Sequence, residues 1–189
     1  MWNEQIIMML LEGIKDTLYM TLTSTLIGYV IGLPMGILLT VTDKDGIHPN
    51  AAVYKVLDVI ANLIRSVPFL ILLIVLIPFT RFLIGRSYGP TATIVPLVIA
   101  AAPYIARIVE SSLKEVDAGV IEAARSMGAS NFTIVTKVML VEARTSLIVG
   151  ATISLGTILG YSAMAGTVAA VDLEISQSAM VIPDGRPIS

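Results

Sequence analysis

Three long stretches of this chain contain no charged residue and no histidine. They are Thr17–Thr42, Ser87–Ala106 and Thr145–Val171, with 26, 20 and 27 residues. A helix rises about 1.5 Å per residue, so each stretch can cross a hydrocarbon layer of about 30 Å. Because backbone groups in lipid must form their hydrogen bonds within the segment, each stretch predicts a membrane-spanning helix.

A fourth apolar run is too short to span by itself. Ser66–Thr80 has 15 residues, and it reaches span length only when residues 59–64 join it, which places Arg65 in or near the edge of the bilayer. Residues 1–16 predict an interfacial helix that leads into the first span. We therefore expect spans at 17–42, 59–80, 87–106 and 145–171, followed by a divergent polar tail at 172–189.

The composition agrees with a membrane protein and excludes several other classes. Apolar residues make up 56% and charged residues 14%, the formal net charge is −2, and there is no cysteine. Soluble domains carry about 25% charged residues, so a soluble globular enzyme is excluded. The lack of a basic excess excludes a nucleic-acid binder, and the lack of cysteine excludes disulfides and Cys-ligated metals. The expected fold class is all-α, a polytopic helical membrane protein.

The predicted spans contain no Asp, Glu or His, and Arg65 is the only charge clearly within one of them. Proton- or sodium-coupled transporters commonly need an ionisable relay inside the membrane, so this class is disfavoured. Intramembrane metal enzymes need paired carboxylates or a histidine cluster. We predict no catalytic residue and no metal site. Arg65 either snorkels to the cytoplasmic interface or lines a wet cavity.

The distribution of Lys and Arg predicts the orientation. Eight of these residues lie on the side of loops 43–58 and 107–144 when Arg65 is counted there, and four lie on the other side. Cytoplasmic loops carry the excess of positive charge. Both loops are therefore predicted to be cytoplasmic, with the N-terminus outside.

Glycines recur at every fourth residue in two spans. The first span has Gly28, Gly32 and Gly36, and the last has Gly156 and Gly160. Such rows let helices approach closely in lipid. They indicate either packing within one subunit or a contact between subunits.

The loop at 107–144 is long and patterned. Asp117 can cap a helix that Gly128 ends, and Ser130 can cap the next helix. The small residues Ala123 and Ala124 beside Glu122 would let a partner with a basic groove come close. The alternative is an amphipathic hairpin lying on the membrane.

The run from Val116 to Ser130 resembles the EAA loop of bacterial ABC-importer permeases. In that motif Glu-Ala-Ala and a Gly are separated by three residues, and Glu122, Ala123, Ala124 and Gly128 match it. Val141 stands where the motif has a proline. The resemblance continues through the segments around Arg65, Pro78 and Tyr104 and through Gly160–Gly166. From about residue 15 to 167, the chain is similar to the methionine-importing branch of these permeases.

The resemblance implies the rest of the assembly. Two permease copies would form the translocation pathway, and two ATP-binding subunits would dock beneath them. A methionine-binding lipoprotein or periplasmic protein would deliver the substrate, in the inner membrane of a bacterial cell. The four EAA-loop residues would then couple the permease to the ATPase. The chain has no G-x-x-x-x-G-K-[ST] loop, so it is not an enzyme, it needs no cofactor of its own, and ATP would be bound by the partner.

Four residues are candidates for the pathway itself. Arg65, Tyr161 and Ser162 are candidate pathway residues, and Met164 is a candidate gate because a flexible apolar side chain at a dimer axis can plug a path and swing aside. The alternative for Met164 is ordinary packing.

The C-terminal part departs from the family. The similarity fades after about residue 167, where the family continues into a fifth span, so the sequence predicts four spans and impaired transport. Two alternative functions remain: a permease for another small amino acid or a peptide, and a non-transporting membrane anchor.

Overall fold

The chain is almost entirely helical over the residues that its computed structural model describes, which are 4–86 and 89–179, with side chains placed up to residue 168. The elements are α1 (Glu4–Thr42), α2 (Ala51–Ser66), α3 (Phe69–Val75), α4 (Ile77–Ile84), α5 (Pro90–Lys114), α6 (Ala118–Ser126), α7 (Asn131–Thr133), a π-helix (Ile134–Met139), α8 (Leu140–Glu142) and α9 (Arg144–Ala179). The all-α fold class predicted from the sequence is confirmed.

Three of these helices are long and apolar enough to cross a membrane: α1, α5 and α9, the last over Arg144–Val168. Helix α5 lies at the centre, since its contacts with α1, α9 and α2 hold the bundle together. Its buried side chains include Leu97, Ile105 and Val109, which have no exposed surface. The core therefore forms around α5, and the outer faces of α1 and α9 are left apolar and exposed, as lipid-facing helices are.

The glycine row of α1 allows a close contact between the backbones of α1 and α5. A Cβ added at Gly32 would lie 2.6 Å from the carbonyl oxygen of Ala102, and one at Gly36 would lie 2.5 Å from that of Ala106. Only glycine lets the two backbones meet in this way, and close backbone approach is a main source of packing energy between helices in lipid. Of the two alternatives for this row, the structure shows packing within one subunit. In contrast, nothing lies within 4 Å of a Cβ at Gly156 or Gly160.

The predicted span at 59–80 is not a straight helix. Helices α2 and α3 meet at an angle of 101°, and Val67 between them has an extended backbone (φ −86°, ψ 126°). Val67 precedes Pro68, whose ring disfavours the helical conformation in the preceding residue. The bend therefore follows from a single proline. We call α2 and α3 together the broken segment.

The other helix bounds also differ from the expected spans. Helix α1 runs without a break from Glu4, and every residue from 4 to 16 is exposed, so the predicted interfacial segment is a continuation of the first helix. Helix α5 extends to Lys114. Helix α9 extends to Ala179 and so enters the predicted polar tail. Residues 1–3, 87–88 and 180–189 lie outside the described residues.

A cluster of charged side chains explains why α5 continues past Ala106. Arg107 bonds the carboxylate of Asp58 on α2 and donates from Nη1 to Glu110 Oε2 at 2.7 Å. Lys114 Nζ lies 2.8 Å from Glu110 Oε1 and 2.6 Å from Asp43 Oδ2. Residues 107, 110 and 114 share one helix face, so their charges are neutralised together. The cluster ties α2 and the end of α1 to α5.

We predict that Gly32→Leu destabilises the protein and that Gly13→Leu does not. The leucine at position 32 would collide with the α5 backbone, and overpacking of this kind costs about 1–3 kcal/mol. Nothing lies within 4 Å of a Cβ at Gly13, so the second variant gains helix propensity without a collision. Thermal unfolding of the purified proteins in detergent measures the difference. Equal melting temperatures for the two variants would contradict the role of this contact.

We also predict that Glu110→Leu destabilises the protein, because the side chain of Arg107 is 18% exposed and would lose a partner. Breaking a buried ion pair costs about 3–5 kcal/mol, and partial exposure places the expected effect near the lower end. The control is Asp45→Ala, which removes a pair whose side chains are 85% and 83% exposed and which is worth about 1 kcal/mol or less. Chemical unfolding of both variants in detergent measures the difference in the free energy of unfolding, and an equal loss in the two variants would contradict the prediction.

Candidate functional site

The loop between α5 and α9 folds into an elbow of two helical arms, which we define as residues 117–142. Asp117 begins the first arm, α6, and its Oδ1 accepts a hydrogen bond from the Gly119 amide at 2.8 Å. Ser130 begins the second arm, and its Oγ accepts from the Thr133 amide at 3.3 Å. Both caps satisfy amides that a helix start leaves unpaired. The two caps predicted from the sequence are confirmed.

Gly128 makes the turn between the two arms. Its φ is +81°, a left-handed conformation that residues with a Cβ adopt only at a cost of about 1–2 kcal/mol. Nothing lies within 4 Å of the position of a Cβ, so the requirement for glycine comes from the backbone and not from space. The amide of Gly128 donates to Arg125 O at 2.9 Å, which closes the end of α6. This residue therefore fixes the angle of the elbow.

The second arm contains a feature that the sequence did not predict, a π-helix over Ile134–Met139. Ile134, Val135 and Met139 point inward and belong to the same apolar cluster as Ala124 of α6. Short π-helical segments are rare and often occur at functional positions. The wider turn places three apolar side chains on the inner face of the elbow, and no simple sequence pattern signals it.

The motif residues of the elbow face in two directions. Ala124 is 5% exposed and packs inward, whereas Glu122, Ala123 and Gly128 are exposed. A carboxylate next to two residues without bulky side chains thus lies on the outer face. The contact of this surface with a basic partner stays a prediction from the sequence.

Two large apolar side chains on the same elbow were missed by the sequence analysis. Met127 is 82% exposed and Phe132 is 77% exposed, and they flank the turn at Gly128. Large exposed apolar groups on a polar loop mark surfaces that contact a partner. The signal available in the sequence was their position on either side of the capping residues Gly128 and Ser130.

The elbow also contacts the end of α1. Arg125 Nη2 donates to Ile47 O at 3.0 Å, and a cavity of about 640 Å³ between the two segments is lined by Asp43, Glu122 and Arg125, among others. The hydrogen bond from Lys114 lowers the pKa of the Asp43 carboxyl, since it stabilises the charged form. Asp43 therefore stays ionised between the charge cluster of α5 and this cavity.

The candidate pathway residues separate into three environments. Arg65 and Tyr161 line one cavity of about 210 Å³ beside the bend between α2 and α3. Ser162 is 2% exposed and lies 3.5 Å from the Thr21 hydroxyl, so it joins α9 to α1 and lines no surface of this chain. Met164 is 47% exposed and projects from α9.

The chain is similar to curated permeases from enteric bacteria. It is 51% identical over 164 residues to the D-methionine transport system permease protein MetI of Salmonella typhi, a match that covers 87% of this chain and 76% of that protein. It is 50% identical, with the same coverage, to the protein of that name from Escherichia coli K12. These matches span both the elbow and the helices around α5.

A solved structure agrees at the level of the fold. The chain superposes on a chain of the inward-facing MetNI methionine ABC transporter with a TM-score of 0.87 and 49% identity, covering 89% of this chain and 78% of that chain. It also superposes on an amino acid ABC transporter with a TM-score of 0.59 and 24% identity, which shows the fold alone.

The family model for the inner membrane component of binding-protein-dependent transport systems matches residues 8–180, so it includes α1, the broken segment, α5, the elbow and α9. The structure, the relatives and this match agree with the resemblance seen in the EAA loop. The chain belongs to the family of binding-protein-dependent transport system inner membrane components.

Proposed function

We propose that this chain is the membrane-spanning permease subunit of an ATP-driven importer of methionine. The observation that carries the proposal is the identity of about one half to permeases named for D-methionine transport, over 164 residues that include the elbow. The structure supplies the two parts that such a subunit needs: apolar spanning helices and an exposed elbow for a partner. The chain is a transporter component, and ATP hydrolysis takes place in the partner subunit.

The elbow is the part that we assign to coupling. Glu122, Ala123 and Gly128 offer a flat acidic surface, and Met127 and Phe132 add apolar area on either side. We propose that this surface inserts into a cleft of the ATPase subunit. The second arm leads into α9 with one turn residue, Ala143, between α8 and α9, so a displacement of the elbow would move the spanning helix with it.

The assembly that we propose has two copies of this chain, two ATP-binding subunits and a methionine-binding lipoprotein or periplasmic protein. It lies in the bacterial inner membrane, with the elbow in the cytoplasm and the N-terminus outside. The exposed apolar face of α9, which includes Ile153 and Leu159, is available to lipid or to the second copy. ATP binding would draw the two elbows together and tilt the spans between inward-open and outward-open states.

Met164 is the residue that we propose as a gate. Its side chain is half exposed on α9, so it has room to change rotamer. An unbranched side chain with three rotatable bonds adapts to a moving surface. In a dimer whose α9 helices face each other, two such residues would close the path.

A permease for another small amino acid or a peptide is the second candidate, because the fold and the elbow by themselves specify no substrate. The two candidates differ in what competes with methionine. The permease and its ATPase are reconstituted in vesicles with the binding protein, and uptake of labelled methionine is measured against an excess of D-methionine, L-methionine and other amino acids. If only the methionine isomers reduce the uptake of labelled methionine, the first candidate is supported. If another amino acid reduces it more strongly, the second candidate is supported.

The same vesicles test the elbow. We predict that Gly128→Val abolishes ATP-dependent uptake and that Gly128→Asn retains most of it. Both variants add a Cβ, but asparagine tolerates the left-handed conformation and a β-branched residue does not. ATPase co-purification with each variant is measured in parallel. Normal uptake by Gly128→Val would exclude the elbow as the coupling element.

We predict that Met164→Ala lets methionine leak through vesicles without ATP, because the shortened side chain no longer closes the path. The control is Met8→Ala, a similarly exposed methionine on the N-terminal part of α1 that extends away from the core. Passive efflux of labelled methionine is the measurement. If Met164→Ala leaks no more than the unaltered protein and ATP drives its uptake equally well, Met164 is not a gate.

A further inference from the structure

A small cavity lies where the broken segment meets the two central helices. Its volume is about 210 Å³, and its lining includes Arg65, Val67, Phe69, Tyr104 and Tyr161. Pockets for drug-sized ligands measure about 300–1,000 Å³, so this one suits a ligand of amino-acid size. It lies at the bend around Pro68, where Phe69 of α3 stacks on Tyr161 of α9.

The cavity lies beside the apolar part of α5. Ala100, which also lines it, is about 15 Å from the start of α5 and about 9 Å from Ala106, the last residue of the charge-free run, at 1.5 Å per residue. An arginine within a membrane-spanning segment is costly when it faces hydrocarbon, so it almost always faces water or an anionic partner. Arg65 is exposed, and among residues 4–86 and 89–168 its side chain forms no ion pair.

The polar groups of the cavity are donors suited to a carboxylate. The guanidinium of Arg65 offers two parallel N–H groups, the geometry that binds a carboxylate most strongly. The hydroxyl of Tyr104 is held in place, since Thr157 Oγ1 donates to it at 3.2 Å.

The opposite wall is apolar and rigid. The rings of Phe69 and Tyr161 are stacked, with centroids 4.7 Å apart and planes 8° from parallel, and Val67 and Leu72 lie beside them. The stack joins α3 to α9 and leaves a surface against which an unbranched side chain can pack. The lining thus combines one cation with apolar and aromatic side chains, which suits an apolar amino acid.

We propose that this cavity is a substrate site within the permease, in which Arg65 binds the α-carboxylate and the Phe69–Tyr161 stack packs against the side chain. The site rests on the proposed methionine transport. It differs from the recognition of substrate by the external binding protein, because it lies inside the bundle. Each half of the dimer would hold one such site beside the pathway.

The absence of cysteine from the chain allows a direct test. A single cysteine is introduced by Val67→Cys, in the lining, or by Arg81→Cys, at an exposed position on α4. A charged methanethiosulfonate reagent is applied to the permease–ATPase complex, and mass spectrometry of the permease chain follows its labelling. We expect saturating methionine to slow labelling at position 67 at least fivefold and to leave position 81 unchanged. Methioninol, which lacks the carboxylate, should protect neither position.

Two further variants identify the role of Arg65. In the Val67→Cys background, Arg65→Gln should abolish protection by methionine, and Arg65→Lys should retain part of it, because the charge remains. Methionine uptake should fall at least tenfold with Arg65→Gln and stay normal with Arg81→Gln. A merely structural role of Arg65 would not produce the difference between methionine and methioninol.

The outcomes separate the site from the proposed function. Normal methionine uptake with no protection at position 67, or equal protection by methioninol, overturns the site and leaves the transport proposal standing. Protection that persists in Arg65→Gln removes Arg65 from the site. If the unaltered complex transports another amino acid and methionine protects nothing, both proposals fail together.

Discussion

The contact between α1 and α5 is the constraint on which the rest of the structure depends. In lipid, two apolar helices gain little by leaving the hydrocarbon, so they must gain by close packing. Gly32 and Gly36 supply it by letting the backbone of α1 reach the carbonyl oxygens of Ala102 and Ala106. With α5 fixed against α1, one face of α5 is left for α9 and the broken segment. Each functional part of the chain is built on those remaining surfaces.

The charge cluster at the end of α5 then joins the membrane part to the elbow. Glu110 is shared by Arg107, which also reaches α2, and by Lys114, which also reaches Asp43. Removing either cation would leave a nearly buried carboxylate short of a partner, so the group holds as a unit. Because Asp43 and Arg125 line the same cavity, the elbow lies against a stiff base. The coupling that we propose would use this contact to pass a displacement of the elbow to the spanning helices.

The sequence predicted most of what local chemistry determines. Charge-free runs identified the spanning helices, the capping residues Asp117 and Ser130 identified the arms of the elbow, and Gly128 identified its turn. Several of the missed features depend on tertiary neighbours. The extension of α5 past Ala106 requires Asp58 and Asp43 from other segments to neutralise its charges, although the spacing of 107, 110 and 114 on one helix face signals it. The π-helix and the exposure of Phe132 depend on how the second arm packs on Ala124.

In the broken segment, one proline both interrupts the helix and shapes the cavity next to it. Pro68 prevents a continuous helix, so α2 ends inside the bundle and turns through 101°. A helix end at that depth would leave carbonyl groups unpaired in hydrocarbon, and non-helical backbone is tolerated there only when it lines a cavity or is buried in protein. The cavity next to Arg65 and Tyr161 satisfies that condition. The bend, the charge and the aromatic stack are therefore parts of one arrangement, since the bend needs a polar environment and Arg65 provides one at the same depth.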